Sequence, residues 1–164
     1  MRPIPLPTGP EQESVWDYPR PPAVEAIDAR VTVEFGGVVL VDTSDVVRVL
    51  ETSHPPVYYL PLTAFAPDSV APGRGASFCE FKGAARYFDL VAGGRRAERA
   101  AWEYPSPSPG FEVLVGRIAV YAGRVDRCTV DGETVVPQPG GFYGGWITHH
   151  VVGPFKGGLG SMGW

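Results

Sequence analysis

Lysine is nearly absent from this sequence. Lys82 and Lys156 carry the only ammonium side chains, the other basic residues are arginines, and the formal net charge is −4. A nucleic-acid backbone needs several cations on one face. Only Arg95, Arg96 and Arg99 lie close together, and they read as a solvated turn between strands, so no nucleic-acid partner is expected. Cysteine is equally scarce. Cys79 and Cys128 stand alone and far apart, which is no disulfide framework. Neither they nor His54, His149 and His150 show the paired spacing of a zinc site. On a strand, the adjacent His149 and His150 would face opposite sides, so no metal is expected. No apolar run approaches the length of a membrane span. The opening residues hold Pro3, Pro5, Pro7 and Pro10 and no apolar stretch, so no secretory leader is read and the cytoplasm is the expected location. No Walker pattern or helix-opening glycine loop is found, and no cofactor is expected.

Glycine, proline and aromatic residues are plentiful: 21 Gly and 18 Pro in 164 residues, with 12% aromatic. They punctuate alternating, Val-rich runs, the pattern of short strands joined by tight turns. Residues 30–35 alternate, Gly36-Gly37 marks a hairpin, and 38–41 return. Residues 46–51 and 57–60 read as strands around Pro55-Pro56, and 62–75 as loop. Residues 76–81 and 84–91 flank Gly83, the second run reading as a strand, and 97–104 are a further strand joined to it at Gly93-Gly94. Residues 112–121 read as one long strand bent at Gly116, and 124–130 as a closing strand. The expected fold is mostly β, with compact curved antiparallel sheets, tent-like or small and barrel-like, and little helix. Three regions are expected: a flexible or extended arm over 1–29, a β domain over 30–136, and a Gly- and aromatic-rich extension over 137–164 that packs on the domain.

The densest chemical signal is aromatic. Tyr58, Tyr59, Phe81, Tyr87, Phe88, Trp102, Tyr104 and Tyr121 fill the middle of the chain. Part of such a set is core. Polar-tipped aromatics beside glycine and a lone lysine also suit a small-molecule pocket. Tyr58 and Tyr59 are neighbours, so one is expected to face in and one out. Phe81-Lys82-Gly83 recurs as Phe155-Lys156-Gly157, and a lysine beside glycine can approach an anion closely. Cys79 lies near Lys82, which would lower its pKa if the side chains met, and a Cys79–His54 pair is chemically sensible. Glu51 closes a Val-rich run and is the acid–base candidate. Glu51 and Glu103 also read as surface groups, Glu103 because it must face away from Trp102 and Tyr104 on an extended stretch.

The same residues carry a resemblance. Val57-Tyr58-Tyr59-Leu60-Pro61, then Cys79-Glu80-Phe81-Lys82-Gly83 through Phe88, then Ala101-Trp102-Glu103-Tyr104-Pro105-Ser106-Pro107 resemble the bacterial domain-of-unknown-function family 427. Gly36-Gly37 with Val41-Asp42-Thr43, Glu51, and Gly116 to Tyr121 fit the family's opening hairpin, its glutamate and its closing strand. The resemblance implies a compact tent-like β fold whose relatives often hold zinc. The paired cysteines of those relatives are missing here, so the metal does not carry over. A nucleotidyltransferase label attached to the family finds no paired aspartates on a Gly-Ser strand here to hold magnesium. The tail with Phe142-Tyr143-Gly144-Gly145-Trp146 resembles an actinobacterial extension.

Three functions compete. The first is a domain that binds a small anionic or polar ligand through Tyr58, Tyr59, Lys82, Trp102 and Tyr104, with Glu51 nearby. The second is an enzyme using Cys79 or Glu51, with Lys82 as a further candidate. The third is a structural or protein-interaction module. A homodimer through an open sheet edge is also an expectation.

Overall fold

The computed structural model describes residues 2–164, and its regular structure is nearly all strand. Met1, the first residue of the expected arm, lies outside the described residues. The chain opens with β1 (Glu13–Ser14) and β2 (Ala23–Ile27), followed by the hairpin β3 (Val31–Phe35) and β4 (Val38–Thr43). Next come β5 (Val46–Leu50), β6 (Val57–Pro61), and three long strands, β7 (Val70–Cys79), β8 (Gly83–Ala92) and β9 (Arg95–Glu103). The short strands β10 (Arg117–Val120), β11 (Arg127–Val130), β12 (Glu133–Thr134), β13 (Val136–Pro137), β14 (Trp146–Ile147) and β15 (Val151–Val152) complete it. Among the described residues, helix is limited to single 3-10 turns.

Seven strands form one antiparallel sheet in the order β2-β5-β6-β10-β9-β8-β7, and a second sheet runs β12-β11-β3-β4. Among the described residues no sheet closes into a barrel. Gly36-Gly37 and Gly93-Gly94 all have positive φ, which a two-residue hairpin turn demands. The two turns also touch. A Cβ on Gly36 would sit 2.2 Å from the Ala92 carbonyl oxygen, and one on Gly93 would sit 2.1 Å from that of Gly36. Only glycine allows the two hairpins to cross so closely.

Several sequence expectations need correction. Residues 23–27, read as part of the arm, form β2 and pair with β5 along its whole length. Residues 70–75, read as loop, belong to the edge strand β7, where Pro72 sits at a bulge before Ala76. An edge bulge is where a strand tolerates proline. Residues 112–121 are not one bent strand. A 3-10 turn at Glu112–Leu114 precedes Gly116 (φ 76°), and only then does β10 begin. Glu103, read as a surface group, is buried and paired with Arg86, and Asp89 is likewise buried beside Arg96. His149 and His150 lie on a turn rather than a strand, with ring centroids 4.0 Å apart.

Strand alternation gives the large sheet two unlike faces. Val46, Tyr58, Leu60, Leu90, Ala101, Ile118 and Val120 point one way, toward Val31, Val33, Phe35, Leu40, Val41 and Cys128 of the second sheet. This is the main core, closed by Trp146, whose indole stacks on Tyr58 at 5.1 Å and donates its N–H to the Val120 carbonyl. Fully buried side chains such as Leu60 and Ile118 each contribute about 1.5–3 kcal/mol by leaving water. Val47, Val49, Tyr59, Ala85, Tyr87, Trp102 and Ala119 point the other way.

Candidate functional site

The second face does not fill itself. Large rings alternate with the small Ala85 and Ala119, and no sheet covers them. What remains is a cavity of about 220 Å³. Strand registers set its walls. β6 supplies Tyr59 and the end of β9 supplies Trp102, with Tyr104 just beyond. Tyr59 lies 6.4 Å from each of these rings, and Trp102 lies 4.5 Å from Tyr121. Cys79 ends β7, and the tight turn after it brings Lys82 back to the same hollow.

The polar groups come from turns. After β5 the chain reverses at Ser53, whose φ is 72° and whose N–H donates to the Val15 carbonyl. The His54 N–H donates to the Glu51 carbonyl at 3.0 Å, so the two side chains emerge together. Glu51 Oε2 is 3.7 Å from His54 Nε2 and 3.8 Å from Arg20, and Oε1 is 3.8 Å from Lys82 Nζ. Each separation exceeds hydrogen-bond length, so three donors surround a carboxylate without closing on it. Lys82 is only 8% exposed, with its ammonium 5.9 Å from the Tyr104 ring centre.

The remaining wall comes from the C-terminal region. Tyr143 packs edge-on against His54 at 4.7 Å, and Gly144 lies against Trp102. Gln138 is tied three ways. Its Oε1 accepts the Gly145 N–H, and its Nε2 donates to the Lys156 carbonyl and to His54 Nδ1. The two backbone partners fix which end of the amide is which. His54 Nδ1 is therefore an acceptor, and the imidazole proton sits on Nε2, the nitrogen near Glu51.

Burial pushes the His54 pKa down to about 4, and the cations of Lys156, Arg20 and Lys82 push the same way. The ring is neutral at pH 7. Burial also holds the Tyr59 and Tyr104 phenols protonated well above their usual range, and that of Tyr121 is pushed up to about 12. The hollow thus offers neutral phenols, one neutral imidazole, one carboxylate and one ammonium, with Arg20 and Lys156 near His54 but outside the lining.

Tyr59, Lys82, Trp102, Tyr104, Cys79 and Glu51 all line this cavity. Tyr58 does not. It points to the other face and stacks on Trp146. Cys79 and His54 share the cavity, but among the described residues the His54 ring is bonded only by Gln138. Gln138, Tyr121, Tyr143 and Tyr87 also line it, without having been singled out as site residues. Among the described residues no three His, Cys, Asp or Glu side chains group as metal ligands. No helix among them is long and apolar enough to cross a membrane.

A family model described as Domain of unknown function (DUF427) matches residues 23–131. The chain belongs to the DUF427 family. No curated protein matches it. The DUF427 match begins at β2 and ends after β11, so Glu51, His54, Cys79, Lys82, Trp102 and Tyr104 lie inside the matched segment. Gln138, Tyr143 and Trp146 lie beyond it. The DUF427 segment thus supplies the charged and aromatic floor, and the following chain supplies a wall.

Proposed function

We propose that this DUF427 domain binds a small, ring-bearing anion, with Lys82 on the charge and Tyr59, Trp102 and Tyr104 around the ring. The observation that carries the reading is the burial of the Lys82 ammonium in an aromatic hollow with one loosely held carboxylate beside it. A buried cation is costly unless a partner offsets the lost hydration. Arg20 and Lys156 add positive charge around His54, so a guest anion balances the site better than a cation does. The volume, about 220 Å³, lies just under the range of about 300–1,000 Å³ common for ligand pockets, which favours a compact guest.

Benzoate and phenyl phosphate are suitable probes, with benzyl alcohol as the uncharged control. Ligand-observed NMR saturation transfer is expected to give saturable binding of at least one anion and weaker binding of the alcohol. Lys82→Met is expected to weaken the anion about tenfold or more, the equivalent of about 1.4 kcal/mol. Equal binding of charged and uncharged probes, or an unchanged affinity in Lys82→Met, would overturn the reading.

A further inference from the structure

The arrangement around Glu51 does more than hold charge. Among the described residues the carboxylate accepts no side-chain hydrogen bond, although three donors stand 3.7–3.8 Å away. A carboxylate with ion-pair partners but no hydrogen bond closed on it, at the edge of an aromatic cavity, is able to take a proton from a guest. Beside it, His54 presents an N–H and not a lone pair, because Gln138 occupies the opposite ring nitrogen. A neutral imidazole can donate its N–H hydrogen bond to a developing oxyanion. Lys82 supplies a fixed positive charge on the other carboxylate oxygen's side.

Resting on the ligand-binding reading above, we propose that the site enolises a small 2-oxo acid, with Glu51 as the base, His54 Nε2–H as the donor to the carbonyl oxygen and Gln138 as the residue that positions His54. In the step, the C–H bond next to the carbonyl breaks and its proton passes to a Glu51 oxygen. The electron pair becomes the C=C bond, and the carbonyl π pair moves to oxygen, where His54 hydrogen-bonds it. Return of a proton from Glu51 to carbon regenerates the ketone. Nothing is oxidised or reduced, and no co-reactant is consumed. The substrate carboxylate is the anion that Lys82 meets, and an aromatic substituent fills the Tyr59–Trp102–Tyr104 walls. Gln138 lies outside the family match, so the donor's tautomer is set by chain that the matched segment does not contain.

Phenylpyruvate in D₂O is the probe. Proton NMR follows loss of its C3 hydrogens, and saturation transfer on the same sample reads binding. Wild-type protein is expected to exchange the C3 position at least about 100-fold faster than buffer alone, the lower range of general-base catalysis. Glu51→Gln is expected to bring exchange to the buffer rate while phenylpyruvate still binds. Glu51→Asp, which keeps the charge but withdraws it by one methylene, is expected to retain a slow rate and guards against a Gln variant that fails to fold. In Gln138→Leu the imidazole ¹⁵N shifts of His54 are expected to lose the pure Nε2–H pattern as kcat falls. Binding without exchange, or exchange that survives Glu51→Gln, overturns the enolisation and leaves the binding reading in place. Absence of binding overturns both. An unaltered His54 ¹⁵N pattern in Gln138→Leu removes Gln138 from the proposal.

Discussion

The two faces of the seven-stranded sheet are built from the same strands, yet one is sealed and the other hollow. On the sealed face Leu60, Ile118 and Val120 meet a second sheet, and Trp146 fills the last gap. On the hollow face Tyr59 and Trp102 meet a turn, a loop and a glycine-rich tail. Alanines stand beside large rings on both faces, but among the described residues only the first is covered by a second sheet. A well-matched partner layer closes a face, whereas rigid rings left without one leave room.

The most direct way to break this contrast is to delete one tryptophan from each face. Trp146 is 1% exposed and packed all round. Trp146→Ala is expected to cost near the upper end of the about 3–5 kcal/mol seen for such truncations. Trp102→Ala is expected to cost near or below the lower end, because its ring already borders empty space. Urea denaturation decides between them, and equal losses would mean that the hollow face is packed as tightly as the other.

Acid comes next. His54 has its folded pKa at about 4, below the unfolded value of about 6.5. The unfolded chain therefore binds the proton first, and the stability held by the neutral ring is complete above about pH 6.5. It is lost as pH falls toward 4, by about 3 kcal/mol for a difference of this size. His54→Gln should lose less between pH 7 and pH 4 than the wild type. Parallel urea curves with the same pH dependence would remove the buried neutral imidazole.

A smaller effect sharpens the contrast at Gly144. A Cβ there would lie 2.0 Å from the Trp102 indole. Gly144→Ala is expected to displace the ring or the tail, weaken benzoate binding severalfold and cost about 1 kcal/mol or less, since the cavity can absorb the shift. Unchanged binding and unchanged tryptophan fluorescence would mean that the contact is not maintained. The mildest test perturbs no residue. Cys128 lies on the sealed face, where burial pushes its thiol up to about 12, whereas Cys79 lines the cavity. One thiol per chain is expected to react promptly with an aromatic disulfide reagent at pH 8, and two fast thiols would contradict the sealed face.

Part of the fold was legible in the residue order. Period-two runs and Gly-Gly pairs named the hairpins, and the density of aromatics around a lone lysine suggested a hollow shared by Tyr58, Tyr59, Lys82, Trp102 and Tyr104, of which Tyr58 lies on the other face. Other parts were hidden for physical reasons. Tyr58 and Tyr59 are chemically alike, and only the placement of the second sheet decides which faces the core. Residues 112–116 look extended, but the positive φ at Gly116 redirects the chain. β2 lacks strong apolar alternation because it is an edge strand, with only one side paired. Gln138 is one polar residue between Pro137 and Pro139, and its reach to His54 spans 84 positions that no local pattern encodes.

β1 runs parallel to β15, joining Glu13 to Val151 and Ser14 to Val152. Val15 and Trp16, just after β1, are buried with Val151. During synthesis these early hydrophobic groups can meet Leu50, but they stay incompletely covered until the distant strand has left the ribosome. The clasp carries a high contact order, and such closures form late and slowly. The nascent chain therefore travels most of its length with an exposed tryptophan, and ribosome-bound holdase chaperones are the expected escorts of that interval.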